Sequence, residues 1–315
     1  MTLVVGTDEA GYGPNLGPLV VAGTAWRVAG GTATANAAFA AVADAAGNAR
    51  AAPLWADSKT IHRGVSGFAA LERGVHAALA LVHADPVRDW PRLAATVGKI
   101  GPPAGAGHGW ARLDALALPR EADPQACAAA TATAQADLGN AGLELLGITC
   151  HAVYPQEFNR LLDRGLNKSD ILSQTTLDLA AEIAARFGPD DTLVWCDRHG
   201  GRKGYGALVA RHFSLPLVQP IEETAIRSAY TAPAARLTVE FCVGGEARIP
   251  VALASMAAKY VRELAMEAFN ALWGERVPGL APTAGYPVDA KRWWTAAAAA
   301  IAAAGIPADD LWRRA

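Results

Sequence analysis

The stretch MTLVVGTDEAGYGPNLGPLVV, residues 1–21, joins two apolar runs through a glycine-rich turn. LVVGTD and PLVVAGTAW read as two β-strands, and EAGYGPNLG between them reads as the loop of a hairpin. Two adjacent carboxylates, Asp8 and Glu9, close the first run. Neighbouring side chains on a regular strand point to opposite faces. Both acids can therefore serve one site only where the strand ends, bends or bulges. Gly6, Gly11 and Gly13 supply the backbone freedom for that.

Other strand ends carry acids too. TLVWCD is a short apolar strand ending on Asp197. RLTVEFCV alternates as a half-buried strand does and runs into GGEARIP, which puts Glu246 just ahead of a long helix. That helix is PVALASMAAKYVRELAMEAFNALW, with Pro250 in its first turn. LELLGITCHAVYP and LPLVQPIEE read as further strands. FNRLLDRGLNKSDILSQTTLDLAAEIAARF reads as helix, with Asn167, Ser169 or Asp170 as N-cap. DAKRWWTAAAAAIAAAG is a last helix, stopped by Gly305. Strands flanked by helices predict an α/β fold with a mixed central β-sheet. The expected organisation is a single domain over residues 1–315. An insertion at about residues 85–138 is partly helical and contains the Pro/Gly-rich segment KIGPPAGAGHGWARL.

Composition narrows the function classes. Hydrophobic residues make up 52% and charged residues 18%, as in soluble globular proteins. Net charge is −2, so a nucleic-acid-binding surface would have to be a local basic patch. Cys127, Cys150, Cys196 and Cys242 form no CxxC pair, which argues against a zinc knuckle or a disulfide framework. There is no basic N-terminal stretch with an apolar core, and no apolar run of bilayer length. The expectation is a cytoplasmic protein with no membrane partner.

Acids gathered at strand ends repel one another and lose solvation unless cations neutralise them. Hard divalent cations take oxygen ligands, and two such ions about 4 Å apart suit phosphodiester hydrolysis. The ordinary alternative is a set of solvated loop acids. Directly after Asp197, CDRHGGRKGYG places Arg198, His199, Arg202 and Lys203 where they could meet phosphates, with Tyr205 able to stack on a base or sugar. A solvated turn is the plain alternative, and His199 could instead carry a proton. Ser58 and Lys59, in ADSKT, are candidates for phosphate contact or for a cap with a surface lysine. Lys259 lies inside a largely apolar helix and needs a carboxylate or phosphate partner. Ser255, one turn earlier, can bond backbone or phosphate or simply pack. Arg262 and Glu263 read as surface ion-pair formers. Trp293 and Trp294 read as packing residues.

Taken together, these segments resemble type 2 ribonuclease H, the ribonuclease HII and HIII family. TDEAGYGPNLGPLVVAG resembles the family's opening DEAGRG…GP segment, ADSKT its DSK element, and VWCD the strand delivering its third acid. ALASMAAKYVRELAM resembles its AASI-AK-RD-M helix, with Ser255, Lys259, Arg262 and Met266 in register. TAGYPVDAKRW resembles its terminal GYGT element. YPQEFNRLLDRGLNKSDIL is closer to the HIII subtype. The resemblance covers most of the chain outside the insertion. It implies an RNase H-like fold and cleavage of RNA in RNA/DNA hybrids with two Mg²⁺ or Mn²⁺ ions, by a monomer. The metal ligands and catalytic acids carry over as Asp8, Glu9, Asp197 and a fourth acid, Glu246 or, less well placed, Glu240. Gly11, Tyr12, Gly13 and Tyr286 fall in segments that imply substrate contact. The family's Gly-Arg-Gly is Gly-Tyr-Gly here. Arg can grip a phosphate through two hydrogen bonds, whereas Tyr offers a ring and one hydroxyl. Two alternatives stay open: a nuclease of this fold acting on DNA or junctions, and a non-catalytic nucleic-acid-binding protein.

Overall fold

The computed structural model describes residues 1–48, 54–56, 61, 67–102, 110–188 and 190–314. Ser58 and Lys59 lie outside the described residues.

The fold is built on a mixed eight-stranded sheet in the order β3-β4-β2-β1-β5-β8-β7-β6. The expected hairpin is β1 (Thr2–Ala10) and β2 (Leu19–Val28), paired antiparallel. β3 (Gly98–Lys99) and β4 (Leu143–Val153) extend the sheet beyond β2. On the other side β5 (Asp191–Asp197) runs parallel to β1, and β8 (Leu237–Cys242) runs parallel to β5. β7 (Arg227–Ala232) and β6 (Gln219–Glu223) close that edge antiparallel. A central β1 with antiparallel β2 on one side and parallel β5 on the other, under helices on both faces, is the RNase H-like α/β architecture expected above.

β1 is buried on both faces, which is why it reads as a continuous apolar run. On one face Val4 packs toward the helix Ile249–Arg276, in a core that also takes in residues of the helix Pro287–Ala303. Leu3 and Val5 pack with the helix Lys168–Phe187 on the other. That last helix begins with Asn167 accepting the Asp170 N–H while the Asp170 carboxylate accepts the Asn167 N–H. Trp293 is buried against Phe269 and Trp273, as a packing residue should be. Within residues 85–138, Leu93 on the helix Trp90–Val97, Leu138 on the helix Pro124–Asn140, and Trp110 and Leu116 between them join the same core as Val4.

Elements not read from the sequence include the helix Thr32–Asn48, strand β7, the helix Gly206–His212 and the two-residue β3, whose Lys99 opens a segment read as loop. The first is Ala-rich with a weak apolar stripe. β7 reads RSAYTA, which does not alternate, and Gly206–His212 spans only about two helical turns. No helix among the described residues is long and apolar enough to cross a membrane.

Candidate active site at the carboxyl ends of three parallel strands

β1, β5 and β8 are parallel neighbours, so their carboxyl ends lie on one side of the sheet. Ligands of open α/β sheets bind on that side. The acids arrive there from three places: Asp8 and Glu9 near the end of β1, Asp197 as the last residue of β5, and Glu246 in the short turn Gly245–Ala247 after β8.

The expected break in β1 is absent. Asp8 and Glu9 stay in regular register with Ala22 and Val21 of β2, and pairing continues to Ala10. What ends instead is the pairing of β1 with β5, whose last pair is Thr7 with Cys196. Beyond it the Glu9 N–H donates to Asp8 Oδ1 at 2.8 Å. Gly6 does not bend the strand either. A Cβ there would lie 2.3 Å from the Pro250 backbone, so the glycine lets the long helix start directly on β1. Thr24 Oγ1 secures the contact by donating to the Pro250 carbonyl at 2.8 Å.

That contact places Ser255, buried on the first turns of the helix, beside the acids. Its hydroxyl donates to Glu246 Oε1 at 2.5 Å and lies close enough to Asp8 to lower that carboxyl's pKa. Asp197 Oδ1 accepts the Gly245 N–H at 2.9 Å. The Asp8 carboxyl is pushed well above the usual range, first by burial and next by Glu9, with Asp197 and Glu246 adding to the rise and the Ser255 hydrogen bond opposing it. Glu9 is pushed up to about 7, chiefly by burial and then by Asp197, with Glu246 contributing. Four carboxyls thus share one electrostatic neighbourhood. Glu240 stands outside it. It is ion-paired with Arg227 at 2.8 Å and Arg248 at 3.0 Å, so its charge is already matched.

Among the described residues, no group of three or more His, Cys, Asp or Glu side chains is gathered closely enough to hold a metal ion as it stands. The donor set nonetheless fits hard divalent cations in kind. All four groups are oxygen donors, and their mutual repulsion is what a cation removes.

The basic loop differs from expectation. The Arg198 guanidinium donates to the carbonyls of Arg202 at 3.0 Å, Thr224 at 3.1 Å and Ala225. Arg202 pairs with Asp170. His199 is 2% exposed, near Ser173 Oγ at 3.1 Å and edge-on to Tyr205 and Phe241. Burial, with help from Arg202, pushes its pKa down to about 3. It is a neutral core histidine, suited neither to phosphate contact nor to carrying protons from solvent. Tyr205 is fully buried and stacked on Phe241 at 3.7 Å, so it offers no face to a base. Lys203 alone of this group is exposed. Arg262 forms no surface pair. It is 5% exposed and donates to the carbonyls of Ala284 at 2.9 Å and Leu16 at 3.4 Å, under the β1–β2 loop. Lys259 is half-buried one turn beyond Ser255.

Tyr12 is half-buried, and its hydroxyl is pushed up by burial and by Glu9. The Lys168 ammonium sits 4.7 Å from the centre of its ring. A positive charge therefore reaches the Gly-Tyr-Gly loop from another element. Tyr286 is 56% exposed and lies beside Gly13. Lys168 escaped the sequence reading because NKSD was read only as a helix start. Arg313, which donates to the Gly11 carbonyl at 2.7 Å, gave no local signal at all.

The class these features define is an α/β protein of RNase H-like fold with four carboxylates at strand ends. No family model matches the chain, and no curated protein matches it. Solved structures that align with it include ribonuclease HII in a complex with PCNA from Archaeoglobus fulgidus, at 14% identity and TM-score 0.42, over 99% of this chain and 94% of that one. Ribonuclease H2 from Pyrococcus horikoshii OT3 aligns at 15% identity and TM-score 0.44, over 98% and 92%. Bst-RNase HIII in complex with Mn²⁺ aligns at 16% identity and TM-score 0.41, over 99% and 66%. At these identities and scores, the functional reading rests on this chain's own residues.

Proposed function

We propose that this chain is a metal-dependent endonuclease of the ribonuclease H kind, hydrolysing the RNA strand of RNA/DNA hybrids. The observation that supports it most is the approach of Asp8, Glu9, Asp197 and Glu246 from the ends of three strands and the turn after the last, with Asp8 and Glu9 held above their ordinary carboxylate range by burial and by neighbouring carboxylates of the group. Structural stability alone gives no reason to bring four carboxyls together.

In this reading the four acids would hold two Mg²⁺ or Mn²⁺ ions. Such ions supply an activated water and stabilise the leaving oxygen of the phosphodiester. The protein's own groups set the arrangement. Ser255 orients Glu246 and Asp8, and the Gly245 amide orients Asp197. On the same reading Lys203, Lys259 and Lys168 would meet phosphates. Tyr12 and Tyr286, on either side of Gly13, present rings to a sugar or base. One observation favours a second substrate. Tyr12 stands where the resemblance implies an arginine, and a ring with a lysine over it reads a 2′-OH less directly than a guanidinium grips a phosphate.

The test is a substrate panel with Mg²⁺ or Mn²⁺: RNA/DNA hybrid, duplex DNA with one ribonucleotide, plain duplex DNA and single strands. We expect hybrid cleavage that Asp8→Asn lowers by about 100-fold or more. Cleavage of plain DNA would move the chain to the second substrate, and binding without cleavage in either metal would remove the enzyme reading.

A further inference from the structure

The loop between β1 and β2 is gripped from beneath by residues some 300 positions away. Arg313 Nη2 donates to the Gly11 carbonyl at 2.7 Å and to the Pro14 carbonyl. The Arg313 N–H donates to the Asn15 carbonyl at 2.8 Å, and Asn15 Nδ2 returns a bond to the Arg313 carbonyl at 2.9 Å. Trp312 pairs with Leu16 as an isolated antiparallel bridge. The segment is moored at its other side. Asn159 Nδ2 donates to the Trp312 carbonyl at 2.7 Å, and Arg314 Nη2 reaches Asp163 at 2.8 Å.

Arg313 is an expensive way to hold a loop. It is 1% exposed, and its Nε and Nη1 have no hydrogen-bond partner among the described residues. No carboxylate among them forms an ion pair with it; its guanidinium carbon lies 5.1 Å from the centre of the Phe158 ring, and another buried guanidinium, Arg262, repels it. Burial and that neighbour push its pKa down to about 9. An apolar side chain of similar volume would fill this space at less cost, because isolated buried charges are destabilising. What an apolar residue could not do is fix the Gly11 and Pro14 carbonyls together.

We propose that Arg313 is a positioning residue, which holds the Gly11–Leu16 loop so that Tyr12 meets the nucleic acid and thereby sets substrate binding rather than the chemical step. The proposal rests on the nuclease reading of the acid cluster. Arg313 itself touches no reacting group: it acts through the two carbonyls that flank Tyr12 and Gly13.

Arg313→Met and Arg313→Lys test it, with Arg236→Met, a surface change, as control. Three quantities are read: hydrogen exchange at the amides of Tyr12, Gly13, Asn15 and Leu16; KM and kcat on the hybrid; and hybrid binding in an Asp8→Asn background. We expect loop exchange and KM each to rise about tenfold or more in both variants, with kcat within about twofold and the melting temperature little changed. The control should match the parent. Unchanged loop exchange, or KM and kcat lost together in step with folded protein, overturns the proposal. If the parent cleaves no nucleic acid, the nuclease reading fails, while loop exchange and binding still decide the role of Arg313. Should both variants fail to fold, Arg314→Ala loosens the same mooring without touching the loop. It must then give the same rise in loop exchange, and its absence counts against the proposal.

Discussion

Glu9 is the residue at which the metal reading is most directly tested. Its carboxyl, pushed up to about 7, is uncomfortable as an anion in the metal-free protein. Glu9→Gln removes that charge. The metal-free protein should then melt about 2 °C higher or more, while the parent's rise in melting temperature on adding Mg²⁺ should shrink or vanish. A variant that melts lower, and keeps its full response to Mg²⁺, would count against Glu9 as a ligand. The sequence pointed to Asp8, Glu9 and Asp197 directly, because acids ending apolar runs are conspicuous. It left Glu246 and Glu240 undecided, because both precede the same helix. Burial with Arg227 and Arg248 takes Glu240 out of the cluster, and the hydroxyl of Ser255 brings Glu246 in. Tyr12 has a neighbour that the sequence did not suggest, the Lys168 ammonium. Tyr12→Arg would set a second cation against Lys168, and a shift of preference across the substrate panel is the expected outcome. An unchanged profile would mean that this position does not select substrate.

At the scale of elements, the site depends on how the helix Ile249–Arg276 meets β1. The contact is made backbone to backbone at Gly6 and Pro250. Gly6→Ala has to push them apart and should cost about 2 kcal/mol or more, seen as a fall of about 5 °C in melting temperature. Because Ser255 rides on the same helix, hybrid cleavage should fall more than the folded fraction does. Further along, this helix carries Tyr260, whose hydroxyl donates to the fully buried Glu72 at 2.8 Å. Glu72 also accepts the N–H groups of Arg120, Glu121 and Ala122 at 2.6, 2.7 and 2.8 Å, tying residues 120–122 to the core. His76 Nε2 lies 3.0 Å from the Tyr260 hydroxyl. Burial lowers its pKa below the ordinary 6.5, against an opposing pull from Glu72. The unfolded chain therefore binds the extra proton first as the pH falls. Stability from this group is complete above about 6.5 and is lost progressively below it. Melting curves should show that loss, and His76→Gln, which can keep the bond to Tyr260 without titrating, should flatten it. An equal slope in the variant would assign the pH dependence elsewhere.

For the whole molecule, the sequence carried the architecture well and the site only in part. Elements with a distinct apolar run, alternation or helical period were legible: the β1–β2 hairpin, β4, β5, β8 and the helices ending at Phe187, Arg276 and Ala303. Their side-chain pattern records which face is buried, and that is a local property. The acids were legible for the same reason, as polar residues ending apolar strands. Elements without such a pattern were not: Thr32–Asn48 is Ala-rich, β7 reads RSAYTA with no alternation, and Gly206–His212 spans only about two helical turns. Which charges are free to act was also hidden. CDRHGGRKGYG looks like four cations offered to phosphate, yet Arg198 and Arg202 are used within the protein and His199 is buried in the core. Composition cannot reveal that, because it depends on carbonyls at Thr224 and Ala225 and on the carboxylate of Asp170. By itself, then, the sequence determined the mixed sheet, its long helices and the carboxylates that end its strands, all set by patterns within a few residues. Only the tertiary structure decided that Glu246 and not Glu240 joins them, that Lys168 lies over Tyr12, and that Arg313 holds the loop. Each of these is a meeting of residues distant in the chain, made when the long helix seats on Gly6 and the segment Trp312–Arg314 docks beneath the opening hairpin.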